Sequence, residues 1–262
     1  MDLQIRGRTA LVTASSKGLG LATAKLLARE GANVVICGSD AGRIATAAET
    51  IVGEGGRCLA VTADLDDQSA REQLVRQAND TFGKIDIAVL NTRGPSTGNL
   101  RQLGLAEWDQ AYQSMIRPVV DLINRLAPAM SEQGWGRLLT ITSFATKSPV
   151  DELGLSGSLR GALTGLMRVL ANELGPSGVT ANSILPGYTE TERVRAVIAS
   201  QANSAGTSAE EESARIARNI PVGRIATPEE FAAVAAFLVS GPAGYINGQA
   251  IVVDGGLIRT II

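Results

Sequence analysis

Short runs of aliphatic and β-branched residues alternate along this chain with longer stretches of helical spacing, and that alternation constrains the fold more than any other feature. The runs fall at 9–13, 33–37, 57–61, 85–90, 137–142, 180–185 and 250–253. Several are apolar at every position, as strands covered on both faces must be. Helical patterns lie between them at 19–30, 41–53, 67–82, 106–132, 156–174 and 228–239. Strand–helix alternation of this kind predicts one parallel sheet with helices on both faces, and right-handed crossovers make it doubly wound. At 262 residues the chain suits one α/β domain spanning 1–262. No linker, repeat or low-complexity tract divides it. One segment, 189–219, is polar and weakly patterned (VIASQANSAGTSAEEESARIA). It reads either as a solvated pair of surface helices or as a substrate lid.

Composition excludes several chemistries. The chain has no histidine, so it can hold neither a Ser-His-Asp or Cys-His triad nor a histidine-ligated zinc; no metal site is expected. Net charge is −2 with no basic block, which argues against a nucleic-acid partner. No apolar run nears the ~20 residues of a membrane span, and the first residues carry no signal-like apolar stretch. Cys37 is expected at the end of one strand and Cys58 at the start of its neighbour, too far apart to bridge. Two reduced thiols suit a cytoplasmic location.

The first strand runs into Thr13-Ala14-Ser15-Ser16-Lys17-Gly18-Leu19-Gly20 and then a helix. Glycines here permit a tight turn and close backbone approach, and the helix N-terminus offers free N–H groups to a pyrophosphate. TASSKGLG resembles the TGxxxGxG loop of the short-chain dehydrogenases/reductases, with Ala14 at the first glycine. Further matches are Asp64-Leu65 to that family's adenine-contacting pair, Asn91 to its NAG asparagine, Pro186-Gly187 to the PG beside the nicotinamide, and the tail GRIATPEEFAAVAAFLVS…GYINGQAIVVDGG to its C-terminal region. The resemblance covers essentially the whole chain and implies a single-domain Rossmann fold with a seven-stranded parallel sheet. The cofactor-binding residues it implies are Thr13, Ser15, Ser16, Lys17, Gly18, Leu19, Gly20, Ser39, Asp64, Leu65, Asn91, Thr92, Arg160, Pro186 and Gly187. Gly38 and Ser39 end the second strand, so no carboxylate stands there to favour NAD. Lys17, with Arg43, is placed to pair a 2′-phosphate, so NADP(H) is the expected cofactor.

The family's catalytic set is asparagine, serine, tyrosine and lysine, the last two spaced Tyr-xxx-Lys. Aligning GRLLTITS puts Ser143 at the serine. The tyrosine position then holds Ser156, the lysine position Arg160 and the asparagine position Met115. A serine hydroxyl is a far poorer proton donor than a phenol. Arg160 keeps the positive charge yet stays protonated. The motif NAG is altered to Asn91-Thr92-Arg93, which brings a guanidinium to the rim. Tyr188, directly after Pro186-Gly187, is the best-placed surrogate acid, or else a pocket wall; Tyr112 flanks the cleft and Tyr245 belongs to a subunit contact. The catalytic candidates are Ser143, Ser156, Arg160 and Tyr188. LNTRGP, LSGSLR and PGY are similar to a subgroup akin to the 3-oxoacyl-[acyl-carrier-protein] reductases in which LSxxLR replaces YxxxK.

The resemblance implies an NADP(H)-dependent oxidoreductase acting on a carbonyl/alcohol pair of a small molecule. Two other readings stay open: an NADP-binding protein without redox turnover, or a lyase or isomerase using Arg93 or Arg160 as electrophile. The family's habit of assembling through two long helices and the C-terminal strand implies a homo-oligomer, a tetramer or dimer. The small-residue face Ala233, Ala235, Ala236, Phe237 and Leu238 suits either that contact or the core.

Overall fold

The computed structural model describes residues 1–150 and 153–259. Seven strands form one parallel sheet: β1 (Thr9–Val12), β2 (Asn33–Gly38), β3 (Arg57–Thr62), β4 (Ile87–Leu90), β5 (Gly136–Ile141), β6 (Val179–Pro186) and β7 (Ala250–Val253). Their spatial order is β3-β2-β1-β4-β5-β6-β7. The helices are α1 (Gly18–Arg29), α2 (Ala41–Gly53), α3 (Gln68–Phe82), α4 (Leu105–Met115), α5 (Arg117–Glu132), α6 (Gly154–Leu174), α7 (Glu192–Ala205), α8 (Ala209–Asn219) and α9 (Pro228–Leu238). This is the doubly wound Rossmann architecture expected from the alternation.

The apolar runs are continuous because successive side chains of a strand point to opposite faces, and both faces are covered. Ala10, Val12, Val34, Ile36, Ile87 and Val89 enter one core with Leu27, Ile44, Ile51 and Phe231 from α1, α2 and α9. Leu11, Val35, Cys37, Ala88 and Leu90 enter the other, with Leu74, Leu122, Leu126, Leu163 and Met167 from α3, α5 and α6. Ala235, Ala236 and Leu238 are buried in the first core, so packing within the chain accounts for much of that small-residue face. β2 and β3 pair with Val34 opposite Cys58 and Cys37 opposite Val61, which sets the thiols three rungs apart, about 10 Å. Both remain free, and burial pushes Cys37 up to about 12 and Cys58 up to about 11.

One feature differs from the sequence expectation, and one open reading takes shape as helices. The helix expected over 106–132 is interrupted at Ile116 between α4 and α5. Pro118 supplies the reason: it has no N–H to return to Ser114, and its ring crowds that carbonyl. Segment 189–219 is a helix pair, α7 and α8, closed by Gly206 in the left-handed region (φ 67°) and by a Ser208–Glu211 capping box. Ile198, Ile216 and Ile220 give the pair its own small core with Tyr188 and Leu257. Among the described residues no helix is long and apolar enough to cross a membrane.

Leu11 lies at the sheet centre and is fully buried. Leu11→Ala is expected to lower the unfolding free energy by about 2–5 kcal/mol, read by urea denaturation, with the far-ultraviolet spectrum of the folded state unchanged.

Candidate active site

The strand order reverses between β1 and β4, where consecutive crossovers leave toward opposite faces and a crevice opens at the carboxyl ends. Two hydrogen bonds hold those ends together. The Thr13 hydroxyl donates to the Asn91 carbonyl at 2.6 Å and accepts the Asn91 N–H at 2.8 Å. The Asn91 side-chain amide donates to the Ala14 carbonyl at 3.2 Å. Ala14 is held at φ 45°, the left-handed region that a glycine would enter without strain. Ser15 is fully buried. Its hydroxyl donates to the Val12 carbonyl at 2.6 Å and accepts the Cys37 N–H at 3.1 Å, so it shapes the loop from inside.

The glycine loop fits a dinucleotide phosphate. No side chain caps α1, whose N-cap is Lys17, although α2, α3, α7, α8 and α9 are capped by Asp40, Asp67, Thr191, Ser208 and Thr227. First-turn N–H groups left without a cap beside an open crevice are an anion site. Gly18 adopts φ 59°. A Cβ at Gly20 would stand 2.7 Å from the Ala14 carbonyl oxygen, so only glycine lets helix and turn approach this closely. Leu19 packs on the first core.

The adenosine side holds charge in pairs. Lys17 bonds Glu192 of α7, and Arg43 bonds Asp40 at 3.1 Å while Asp40 caps α2. Lys17 holds the Glu192 carboxyl below its ordinary value. Gly38 leaves room for Ser16: a Cβ there would stand 3.3 Å from the Ser16 Cβ. Ser39 follows, exposed. Asp64 is exposed and accepts the Asp66 N–H, while the Leu65 carbonyl accepts Arg71 Nη1 at 2.6 Å. Arg71 is buried and paired with Asp121 on α5 at 2.7 Å. Nothing in the local sequence singled out Arg71 or Asp121, because their partners lie far apart in the chain.

At the chemical end, β5 runs into Ser143, which caps the turn 144–146 by accepting the Ala145 N–H at 3.1 Å. The first turn of α6 lies against this turn; a Cβ at Gly157 would stand 3.2 Å from the Ala145 carbonyl oxygen. Arg160 is 9 % exposed and ties the two together. Its Nε donates to Ser156 Oγ at 3.2 Å and its Nη1 to the Ile141 carbonyl at 2.7 Å. Burial first, then the charge of Arg193, pushes the Arg160 guanidinium down to about 10. Each serine accepts from a protein N–H, so each hydroxyl proton is left to donate outward. Met115 is wholly buried with Ala111 and Leu155, and so belongs to the floor rather than the cleft.

Tyr188 stacks on Phe144 with ring centroids 5.6 Å apart and packs into the core of α7 and α8. Burial raises its phenol above the ordinary value, with Arg215 opposing. Gly187 is held by close packing: a Cβ would stand 2.7 Å from Asp254 Cα. The Thr92 hydroxyl, at the mouth of β4, is buried without a partner among the described residues. Arg93 pairs with Asp66, whose carboxyl burial raises above its ordinary value against the pull of Arg93. Arg193 and Glu192 were not expected from sequence; the fold brings both from α7 onto the β1 and β4 loops.

A family model described as enoyl-(acyl carrier protein) reductase matches residues 13–258. The chain is a short-chain dehydrogenase/reductase. It is 33 % identical to oxidoreductase UcpA of Salmonella typhimurium over 255 residues, covering 97 % of this chain and 95 % of that protein. It is 32 % identical to dehydrogenase/reductase SDR family member 4 of Bos taurus, covering 95 % and 86 %. The L-sorbose reductase of Gluconobacter frateurii, solved with NADPH and L-sorbose, superposes with a TM-score of 0.94 at 28 % identity over all of both chains.

Gly20→Ala presses a methyl on the Ala14 carbonyl. It is expected to cost about 1–3 kcal/mol of stability and to abolish dinucleotide binding, read by calorimetry with NADPH and NADH.

Proposed function

We propose that this short-chain dehydrogenase/reductase is an NADP(H)-dependent oxidoreductase that interconverts a carbonyl and an alcohol, akin to a 3-oxoacyl reductase, with a serine pair and an arginine where the family keeps tyrosine and lysine. The observation that carries it is Arg160 donating to Ser156 while Ser143 is held by the Ala145 amide. Both hydroxyls keep a proton to give, and the first turn of α6 lies against the Ser143 turn, so they can serve a substrate oxygen that gains negative charge as it is reduced.

NADPH supplies the hydride when bound. The α1 N-terminus holds its pyrophosphate, with Gly18, Leu19 and Gly20 providing amides and Ser16 lining the turn. Lys17 and Ser39 take the 2′-phosphate, with Arg43 beside them. The Asp64-Leu65 loop borders the adenine. Asn91 and Thr92 border the ribose of the nicotinamide, and Pro186-Gly187 its ring. The hydroxyls of Ser143 and Ser156 hold the substrate oxygen, and the fixed charge of Arg160 behind Ser156 strengthens that donor. Tyr188 walls the substrate side with Phe144. Helices α7 and α8 act as the lid, hinged near Tyr188 and Gly206 and joined to the cofactor loop through Lys17–Glu192. Tyr245 is fully exposed, in keeping with a homo-oligomeric contact.

The proton need not come from a group titrating near neutrality. Arg160 is cationic below about 10 and Tyr188 lies above its ordinary value. The rate of carbonyl reduction is therefore expected to stay flat from about pH 6 to about pH 9 and to fall as pH rises through the Arg160 value. A bell centred near neutrality would overturn the assignment.

The test is oxidation of NADPH with a panel of ketones and 3-oxoacyl thioesters. Turnover is expected, with Ser143→Ala and Ser156→Ala each lowering kcat by about 10²–10³-fold. NADPH binding without turnover across the panel would instead support a nucleotide-binding role. Lys17→Ala is expected to weaken NADPH by about tenfold and to leave NADH unchanged, read by fluorescence titration.

A further inference from the structure

Glu192 is the first residue of α7, and Thr191 before it caps the helix by accepting the Val194 N–H at 3.2 Å. This start of α7 lies on the glycine turn: a Cβ on Gly18 would stand 3.4 Å from Thr191 Cγ2. The same turn abuts the end of β2, since a Cβ on Gly38 would stand 3.3 Å from Ser16 Cβ. Lys17, between Ser16 and Gly18, therefore stands in a corner where the loop after β1, the end of β2 and α7 meet. Its ammonium bonds the Glu192 carboxylate, 175 residues away in the chain.

The carboxylates of this corner have unlike duties. Asp40 caps α2 by accepting the Arg43 N–H at 2.9 Å, and it also holds the Arg43 guanidinium at 3.1 Å. It stays tied to backbone whatever the guanidinium does. Glu192 accepts no hydrogen bond among the described residues except the one from Lys17. Both side chains of that pair are about half exposed, 48 % for Lys17 and 61 % for Glu192, so they can part by side-chain rotation with the backbone unmoved. A carboxylate that leaves Lys17 is not stranded. It stays exposed at the positive end of α7, within reach of the charge of Arg195 three residues on.

A phosphate at the cofactor's 2′ position needs the same ammonium. Beside the neutral Lys17–Glu192 pair, a phosphate carrying about −1.5 to −2 meets a cation already engaged and a carboxylate that repels it. We propose that Glu192 is a specificity-determining residue that competes with the 2′-phosphate for Lys17 and so lowers the preference for NADP(H) over NAD(H). This rests on the NADP(H) reading above and names a residue that tunes it. The same chemistry has a second source, the pyrophosphate common to both nucleotides. Position favours the 2′-phosphate: the pyrophosphate belongs on the α1 amides from Gly18 onward, whereas Lys17 stands toward the end of β2, where the adenosine ribose lies.

The test is calorimetric titration of NADPH, NADH and adenosine 2′,5′-bisphosphate against wild type, Glu192→Gln, Lys17→Ala and the double variant. Glutamine keeps the side chain's length and removes only its charge. NADPH and the bisphosphate should bind Glu192→Gln about fivefold more tightly than wild type, the full effect of one exposed ion pair. NADH should change by less than about 1.5-fold. In the Lys17→Ala background the gain from Glu192→Gln should shrink below about twofold. Weaker NADPH binding in Glu192→Gln would overturn the proposal, making Glu192 a residue that positions Lys17 for the phosphate; unchanged binding would overturn it too. An equal gain for NADH would do the same by assigning the contest to the pyrophosphate, as would a gain that survives Lys17→Ala, which needs no competition for the ammonium. If neither nucleotide binds, this proposal and the NADP(H) reading fall together. The expected gain without turnover of any carbonyl compound would sink the oxidoreductase reading alone.

Discussion

The hydrogen-bonded clamp between Thr13 and Asn91 is the interaction on which the rest of the site depends. It joins the carboxyl ends of β1 and β4 at the point where the chain's crossovers part to opposite faces of the sheet. A crevice opens there because no helix can cover both directions at once. The clamp fixes its width, and the Asn91 amide sets the Ala14 carbonyl that Gly20 must clear. The glycine turn, the uncapped start of α1 and the loops carrying Arg93 and Pro95 are all registered from this one contact. Burial does the remainder: strands sealed on both faces leave no room for slippage, since a one-residue shift would exchange the contents of the two cores.

The chemical end shows how a side-chain set can be replaced without losing the logic of the site. In the Tyr-xxx-Lys arrangement a cation lies one helical turn beyond the hydroxyl it serves. Ser156 and Arg160 keep that spacing, and Arg160 Nε donates to Ser156 Oγ at 3.2 Å. A serine hydroxyl is a weaker proton donor than a phenol, but its oxygen here is held by a charged donor behind it. The arginine also gains a structural duty, because its bond to the Ile141 carbonyl pins α6 to the end of β5. A lysine, with one nitrogen, could not hold both contacts in a rigid fork. The substitution therefore trades proton mobility for position.

Much of the fold was legible in the chain. Seven strand runs and the helices between them appear within a residue or two of the places their patterns indicated, because continuous apolar runs and helical spacing report burial directly. The interruption at Ile116 was written in Pro118 but needed weight as a breaker rather than as one residue in a long amphipathic run. The positions of Ser143, Ser156 and Arg160 followed from motif spacing. Lys17 and Arg43 were readable as cations, whereas their pairing with Glu192 and Asp40 was not: Lys17 and Glu192 are 175 residues apart, and only folding makes them neighbours. The same holds for Arg71 with Asp121 and for Arg193 with Pro95.

What the sequence determined by itself is the class of object: a parallel sheet buried on both faces, a glycine turn feeding a helix, no histidine chemistry, and a hydroxyl and a guanidinium where a phenol and an ammonium usually stand. These are properties of composition, periodicity and short spacing, which local physics reads without knowing the rest of the chain. Tertiary structure alone decided which charges pair with which: Lys17 with Glu192, Arg71 with Asp121, Arg93 with Asp66. Ser15 became a buried brace, Met115 a floor residue and Tyr188 part of the small core of α7 and α8, while Arg193 was carried from α7 onto the Pro95 carbonyl. Charge balance at a site is a sum over neighbours in space, and neighbours in space are what a sequence does not state.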